Sequence, residues 1–271
     1  MKRDNSAHFK QSTMVPWIEL RIANHSSACY QAHSHDEFSF GLIQHGRAQY
    51  HNHHHRHHIG KGDLVTINPA DVHACNPEAG LWSYSMLFVD AEQMGRVQQE
   101  ISDNHRHDYL PFRAAFERDP ELKHRFVCLL HDVQSDASQM QIETRLYDFI
   151  AATFGDTNQA FRQMPTPDIQ RVREKLLDDV SSVHQLDQLA EEAQLSRYQL
   201  LRAFKQYYGL PPHAYLMDEK IKRAKVMLKS GEGIVDIAHA LGFADQAHFQ
   251  RQFKRKIAVT PKYYQSHFVE S

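Results

Sequence analysis

The sequence predicts a two-domain α+β protein: a β-rich barrel with flanking helices, then an all-α domain holding two helix-turn-helix units. Three observations carry the prediction. Up to about Asp90 the apolar residues alternate in short runs punctuated by glycine and proline. From Ala91 the period changes to that of helices. Between Leu186 and Tyr264 one helical pattern occurs twice.

The strand candidates come first in the chain. Glu37 to Ile43 and Leu81 to Phe88 alternate with aromatics on one face, and Asp63 to Ile67 is a third candidate. Gly46, Gly60, Gly62 and Pro69 break the runs at intervals that suit a small barrel or sandwich. This assigns a barrel to residues 1–90.

Residues 91–155 read as helices: Ala91 to Ile101, Leu122 to Gln134 and Met140 to Phe154. In the last, Ile142, Leu146, Phe149 and Ile150 share a face. These helices are the expected dimerisation region, so a homodimer is anticipated. The polar stretch 156–167 ends Met164-Pro165-Thr166-Pro167 and reads as a linker, with a new helix opening at Asp168.

Residues 168–271 form the second expected domain, with helix-turn-helix units at about 186–205 and 234–255. In the first, Leu186, Leu189, Ala190 and Ala193 make a packed helix, Ser196 caps the next, and Leu200 and Phe204 face inward. In the second, Ile234, Ile237, Ala238 and Leu241 play the packed role, Asp245 caps, and Phe249 and Phe253 face inward. The Phe-Lys pairs Phe204-Lys205 and Phe253-Lys254 are 49 residues apart, whereas Ala190 and Ala238 are 48 apart. The second turn is therefore expected to be one residue longer. A helix from His213 to Lys229 separates the units and spans roughly 25 Å, against about 34 Å for one turn of DNA.

Charge is distributed to match. The net charge is −2, but residues from Asp168 onward carry 16 Lys+Arg against 13 Asp+Glu. From Leu201 to Lys262 there are 12 basic and 5 acidic residues. Double-stranded DNA is the expected partner of this region. No apolar run approaches membrane length, and the polar start Met1 to Ser6 has no apolar segment behind it, so a cytoplasmic protein is expected. Cys29, Cys75 and Cys128 are scattered and read as reduced thiols.

Residues 168–267 resemble the DNA-binding domain of AraC/XylS-type transcriptional regulators. The resemblance is carried by Leu195-Ser196-Arg197-Tyr198, by Ala238 to Phe249, and by Val259-Thr260-Pro261. It implies a cytoplasmic regulator, usually an activator working with RNA polymerase, whose two recognition helices contact bases. The residues placed at that interface are Arg197, Tyr198, Leu201 and Arg202, then Gln246, Ala247, Gln250 and Arg251. Arg suits guanine O6 and N7, Gln suits adenine, and apolar groups meet thymine methyls. Ala258 stands where the family usually has glycine, so that helix end is expected to be less relaxed.

The first domain more loosely resembles the cupin-like sensor barrel of the same family, through His33-Ser34-His35-Asp36-Glu37, Gly46 and Gly62 to His73. It implies a small-molecule effector in the barrel. His35, Phe38, Phe40, Tyr50, His73, Trp82 and Tyr84 are the expected lining: aromatic walls with a few orienting polar groups. Cupin enzymes hold a metal with His-x-His, Glu and a later His, which here would be His33, His35, Glu37 and His73. That pattern normally has three or four residues between the second His and the Glu, and here there is one. No metal, other cofactor or catalytic residue is therefore assigned. A metal-responsive regulator using these histidines is the alternative, and a cupin-type metalloenzyme with a DNA-binding appendage a lesser one. The run His51 to His58 reads as a solvated loop of the barrel.

Overall fold

The computed structural model describes residues 6–53, 55–102, 108–154 and 166–269. The chain divides into two compact units: Met1–Cys29 with His35–Asn158, and Tyr30–Ser34 with Gln159–Ser271.

The first unit is built on two sheets. Strands β1 (Ala7–Gln11), β2 (Ile18–Ser26), β3 (Phe38–His45), β6 (Leu64–Ile67), β8 (Trp82–Val89) and β9 (Phe116–Glu117) form one, in the order β1-β2-β8-β3-β6-β9. Strands β4 (Arg47–Asn52), β5 (His55–Gly60) and β7 (His73–Pro77) form the other, in the order β5-β4-β7. The pairs are antiparallel throughout.

The two faces of the larger sheet have different jobs, because side chains alternate along a strand. Ile18 and Leu20 of β2, Phe38, Phe40 and Leu42 of β3, and Leu87 and Val89 of β8 pack into one apolar core. That core is completed by helices α1 (Ala91–Ser102), α2 (Pro120–Gln134) and α3 (Gln139–Phe154). Phe40 stacks on Phe149 of α3 at 4.8 Å and meets Phe126 of α2 edge-on at 6.0 Å. Each such fully buried phenylalanine contributes about 2–3 kcal/mol through area removed from water. The apolar stripes of α2 and α3 are thus used in covering the sheet. Residues 1–90 and 91–154 share one core, and β9, from the second stretch, extends the sheet of the first.

The opposite face of the larger sheet meets the smaller one. The Tyr50 hydroxyl of β4 donates to the Thr66 carbonyl of β6 at 2.9 Å, and His57 of β5 packs edge-on against Phe116 at 5.4 Å. The run from His51 to His58 is mostly strand, not loop: His51 pairs with Arg56 and Asn52 with His55 across the β4–β5 hairpin. Alternation decides this, since Ala48, Tyr50 and Asn52 are buried on one face and hold both strands in register. His54 lies outside the described residues.

The second unit is helical. It comprises α4 (Pro167–Asp178), α5 (Leu186–Glu192), α6 (Arg197–Tyr208), α7 (Pro212–Lys229), α8 (Ile234–Ala240), α9 (Gln246–Ile257) and α10 (Pro261–Gln265). The expected linker falls almost entirely on residues outside those described. Tyr30–Ser34 packs within this unit. The Ser34 backbone N–H and Oγ donate to Asp218 Oδ2 at 2.8 and 2.6 Å, and Lys256 Nζ donates to the Ala32 carbonyl at 2.6 Å. Lys256 Nζ also lies 3.3 Å from Asp218 Oδ1, so the short segment supplies further hydrogen bonds to both members of this buried charge pair. Among the described residues, no helix is long and apolar enough to cross a membrane.

Candidate nucleic-acid interface

Each helix-turn-helix unit is closed by the same local chemistry. At the end of α5 the Leu195 N–H returns to the Ala190 carbonyl at 2.9 Å; at the end of α8 the Phe243 N–H returns to the Ala238 carbonyl at 2.9 Å. Gln194 (φ 53°) and Gly242 (φ 62°) take the left-handed conformation that makes these closures. Residues 193–196 then separate α5 from α6, and residues 241–245 separate α8 from α9, so the second turn is one residue longer.

The following helices start on side-chain caps. Ser196 Oγ accepts from the Gln199 N–H while Gln199 Oε1 accepts from the Ser196 N–H, a reciprocal capping box. Asp245 Oδ1 accepts from the His248 N–H at 2.5 Å. Burial then fixes the faces. Leu200 and Phe204 of α6, and Phe249 and Phe253 of α9, are buried. Arg202 on α6, and Gln246, Ala247 and Arg251 on α9, are exposed, with Leu201 and Gln250 half-buried beside them. Tyr198 is the second residue of α6, and its side chain lies outside the described residues.

Arg197 is also exposed, but its guanidinium is engaged by the Asp187 carboxylate of α5 in a forked ion pair. Its first structural role is to tie α6 to α5 across the turn. Two supports of the second unit are not evident from pattern alone. Lys220 of α7 donates to the Gly242 carbonyl at 3.2 Å and lies over the Phe243 ring, bracing the turn from below. Lys256, in the basic run Lys254-Arg255-Lys256 that ends α9, points into the unit and not to solvent. A basic count cannot distinguish such an anchor from a surface charge.

In the first unit, the residues expected to line a ligand site separate into two groups. Phe38 and Phe40 face the helices, in the core with Phe112, Phe126 and Phe149. His35, Tyr50, His73, Trp82 and Tyr84 belong to the other group. The His35 and His73 rings meet at 4.8 Å, with His35 Nε2 at 3.1 Å from Ser39 Oγ and His73 Nδ1 at 2.9 Å from the Asp71 carbonyl. Trp82 and Tyr84 pack with their rings tilted, centroids 4.4 Å apart. His33 lies in the second unit's segment, its Nδ1 against the Gln31 carbonyl at 2.9 Å. Among the described residues, no group of three or more His, Cys, Asp or Glu side chains is placed to hold a metal ion.

Comparison with known proteins follows the same division. Residues 16–150 match the model of the AraC-like ligand binding domain, and residues 189–267 match a helix-turn-helix domain. An uncharacterised helix-turn-helix regulator of Bacillus subtilis, YbfI, is 27% identical over 219 residues, which is 80% of each chain. The transcriptional activator RhaS of Escherichia coli strain SE11 is 36% identical over 77 residues, only 28% of each chain. Among solved structures, ToxT from Vibrio cholerae O395 aligns over 94% of this chain and 99% of its own, with a TM-score of 0.61 at 12% identity. ToxT bound to an unsaturated fatty acid aligns over 99% and 98%, at 14% identity and a TM-score of 0.58.

Proposed function

Because this chain belongs to the AraC-type transcriptional regulators, we propose that it is a cytoplasmic activator that binds promoter DNA through α6 and α9 and is controlled by a small molecule held between the two sheets of its first unit. The observation that carries the reading is the matched pair of capped helices. Each buries a Leu-Phe or Phe-Phe pair on one face and offers arginine on the other. Helix α7 spans roughly 27 Å, which suits two recognition helices entering successive major-groove segments of one duplex.

The roles divide by chemistry. Arg202 and Arg251 donate to guanine, Gln246 and Gln250 address adenine, and Leu201 and Ala247 meet thymine methyls. Arg197 and Tyr198 lie at the start of α6, where backbone N–H groups and Arg197 approach phosphate. In this reading the effector shifts a balance between two states of the regulator, which requires different affinities for each. Homodimerisation through the outer faces of α2 and α3, where Val127 and Met140 are exposed, places two such readers on repeated half-sites. RNA polymerase is the partner at the promoter.

The test is footprinting and quantitative gel shift on the promoter region next to the chain's own gene. Arg251→Ala and Arg202→Ala each weaken specific binding by about 1–3 kcal/mol and relax one base position. Unchanged footprints for both variants remove the base-reading assignment.

A further inference from the structure

Helix α2 turns one face to the core and the other outward. Leu122, Phe126, Leu129, Leu130 and Val133 are buried on the first. The second carries His124, Val127, Cys128 and His131, whose spacing sets them over one another across two turns. His124 and His131 are exposed, Val127 is 41% exposed, and Cys128 is half-buried with a free thiol. The Cys128 Sγ lies 3.7 Å from His124 Nε2. Arg125, which follows His124, is held by Glu121 at 3.0 Å and by Asp148, so its charge is met within the chain.

A thiolate sulfur and an imidazole nitrogen on one tetrahedral zinc ion stand about 3.6 Å apart, because Zn–S is about 2.3 Å, Zn–N about 2.1 Å and the angle about 109°. The Cys128–His124 separation of 3.7 Å matches that edge, and in the metal-free chain the same approach is a thiol–imidazole hydrogen bond. Among the described residues no third His, Cys, Asp or Glu completes a metal-holding group, so one chain supplies two donors. A structural zinc site takes four. A two-fold axis through this face supplies the other two, because it brings the same patch of both copies together. Two thiolates and two neutral imidazoles cancel the charge of the ion. The site can therefore close between the exposed Val127 side chains without burying an unpaired charge.

We propose that α2 carries half of a Cys2His2 zinc site, in which His124 Nε2 and Cys128 Sγ of one chain meet the same two atoms of a second copy. Binding forms two Zn–S and two Zn–N bonds, displaces water from the ion and releases the two thiol protons to solvent, with no change of oxidation state. This rests on the reading that the chain dimerises through α2 and α3, and goes beyond it by naming an ion that the dimer holds and the residues that hold it. The site is separate from the run His51 to His58, which contains no sulfur ligand.

The experiment titrates the reduced, chelator-washed full chain with zinc sulfate. The readouts are sedimentation equilibrium, zinc stoichiometry, and absorption with cobalt(II) in place of zinc. One zinc binds per two chains, and saturating zinc tightens self-association by roughly tenfold or more. Cobalt gives the intense ligand-field bands of a tetrahedral site together with a thiolate charge-transfer band. Cys128→Ser abolishes that band and the zinc-dependent association, and His124→Ala weakens both. His131→Ala, which removes an imidazole from the same face, changes neither. All three substitutions lie on the outer face, so the melting temperature in chelator stays that of the parent chain. One zinc per chain, cobalt spectra without a thiolate band, or a loss on His131→Ala in place of His124→Ala overturns the proposal. So does a zinc response that survives Cys128→Ser, which assigns it to the histidine-rich hairpin. A dimer equally strong with and without zinc removes the zinc site and leaves the dimer reading standing, whereas a monomer under both conditions removes both.

Discussion

In the first helix-turn-helix unit the chain leaves α5 through Gln194 and caps α6 with Ser196. In the second it leaves α8 through Gly242 and caps α9 with Asp245, after one additional residue, Ala244. The closures before that point are the same, hydrogen bond for hydrogen bond. The insertion therefore acts after the first helix has ended, and it re-aims the second helix without disturbing the packed one. The ends of the two recognition helices differ as well. Lys256 near the end of α9 is buried against Asp218, whereas the corresponding residue of α6 is the half-buried Tyr207. Two copies of one pattern are thus held by different means: the first by an exposed ion pair, Arg197 with Asp187, across its turn, the second by buried polar anchors at Lys220 and Lys256.

That contrast is broken hardest at Asp218. Asp218→Ala strands the Lys256 ammonium and the Ser34 donors in a buried setting and should destabilise the helical unit by about 3–5 kcal/mol in urea titration. Tyr207→Ala in the first unit should cost less than half as much. Comparable losses at the two positions would mean that the ion pair is not what distinguishes the units.

The turns come next. Both Gln194 and Gly242 are left-handed, so backbone conformation alone does not explain why only the second is glycine. Packing does. A Cβ on Gly242 would sit 2.1 Å from the Ser181 carbonyl oxygen, a backbone atom that cannot swing aside, whereas Gln194 is exposed. Gly242→Ala should cost about 3 kcal/mol, from left-handed strain plus overpacking. Gln194→Gly should gain up to about 1 kcal/mol. A loss below about 1 kcal/mol for Gly242→Ala would show that the Ser181 segment yields, and would place the demand for glycine in φ alone.

Much of this was legible in the sequence, for identifiable reasons. Helical and strand periods are local, so the helices from Ala91 onward and strands β3, β6 and β8 could be read directly. The longer second turn followed from comparing Ala190 and Ala238 with Phe204 and Phe253. Which face of a strand points where is not local, because alternation is symmetric. Phe38 and Phe40 look as suitable for a ligand wall as Tyr84, and only the helices that cover them show that they are core. The hydrogen bond from Tyr50 to Thr66 was invisible for the same reason, since it depends on two sheets facing each other. The engagement of Arg197 by Asp187 depends on a turn geometry that composition does not encode.

The smallest effect tests the ends of the recognition helices. α6 ends in Gly209 at φ 75°, its N–H on the Lys205 carbonyl at 2.8 Å; α9 ends in Ala258 at φ 69°, its N–H on the Lys254 carbonyl at 2.9 Å. The closure is the same, but an L-alanine there carries about 1 kcal/mol of left-handed strain that glycine does not. Against that, the Ala258 methyl is buried, and removing it forfeits up to about 0.8 kcal/mol of burial. Strain relief and lost packing nearly balance, so Ala258→Gly should stabilise by no more than about 0.5 kcal/mol, whereas Gly209→Ala should destabilise by about 1 kcal/mol. Chemical denaturation of both variants decides which force holds the second helix end. A clear loss from Ala258→Gly would mean that the methyl is an anchor in the same sense as Lys256, and that α9 accepts strain at its end in exchange for a fixed position.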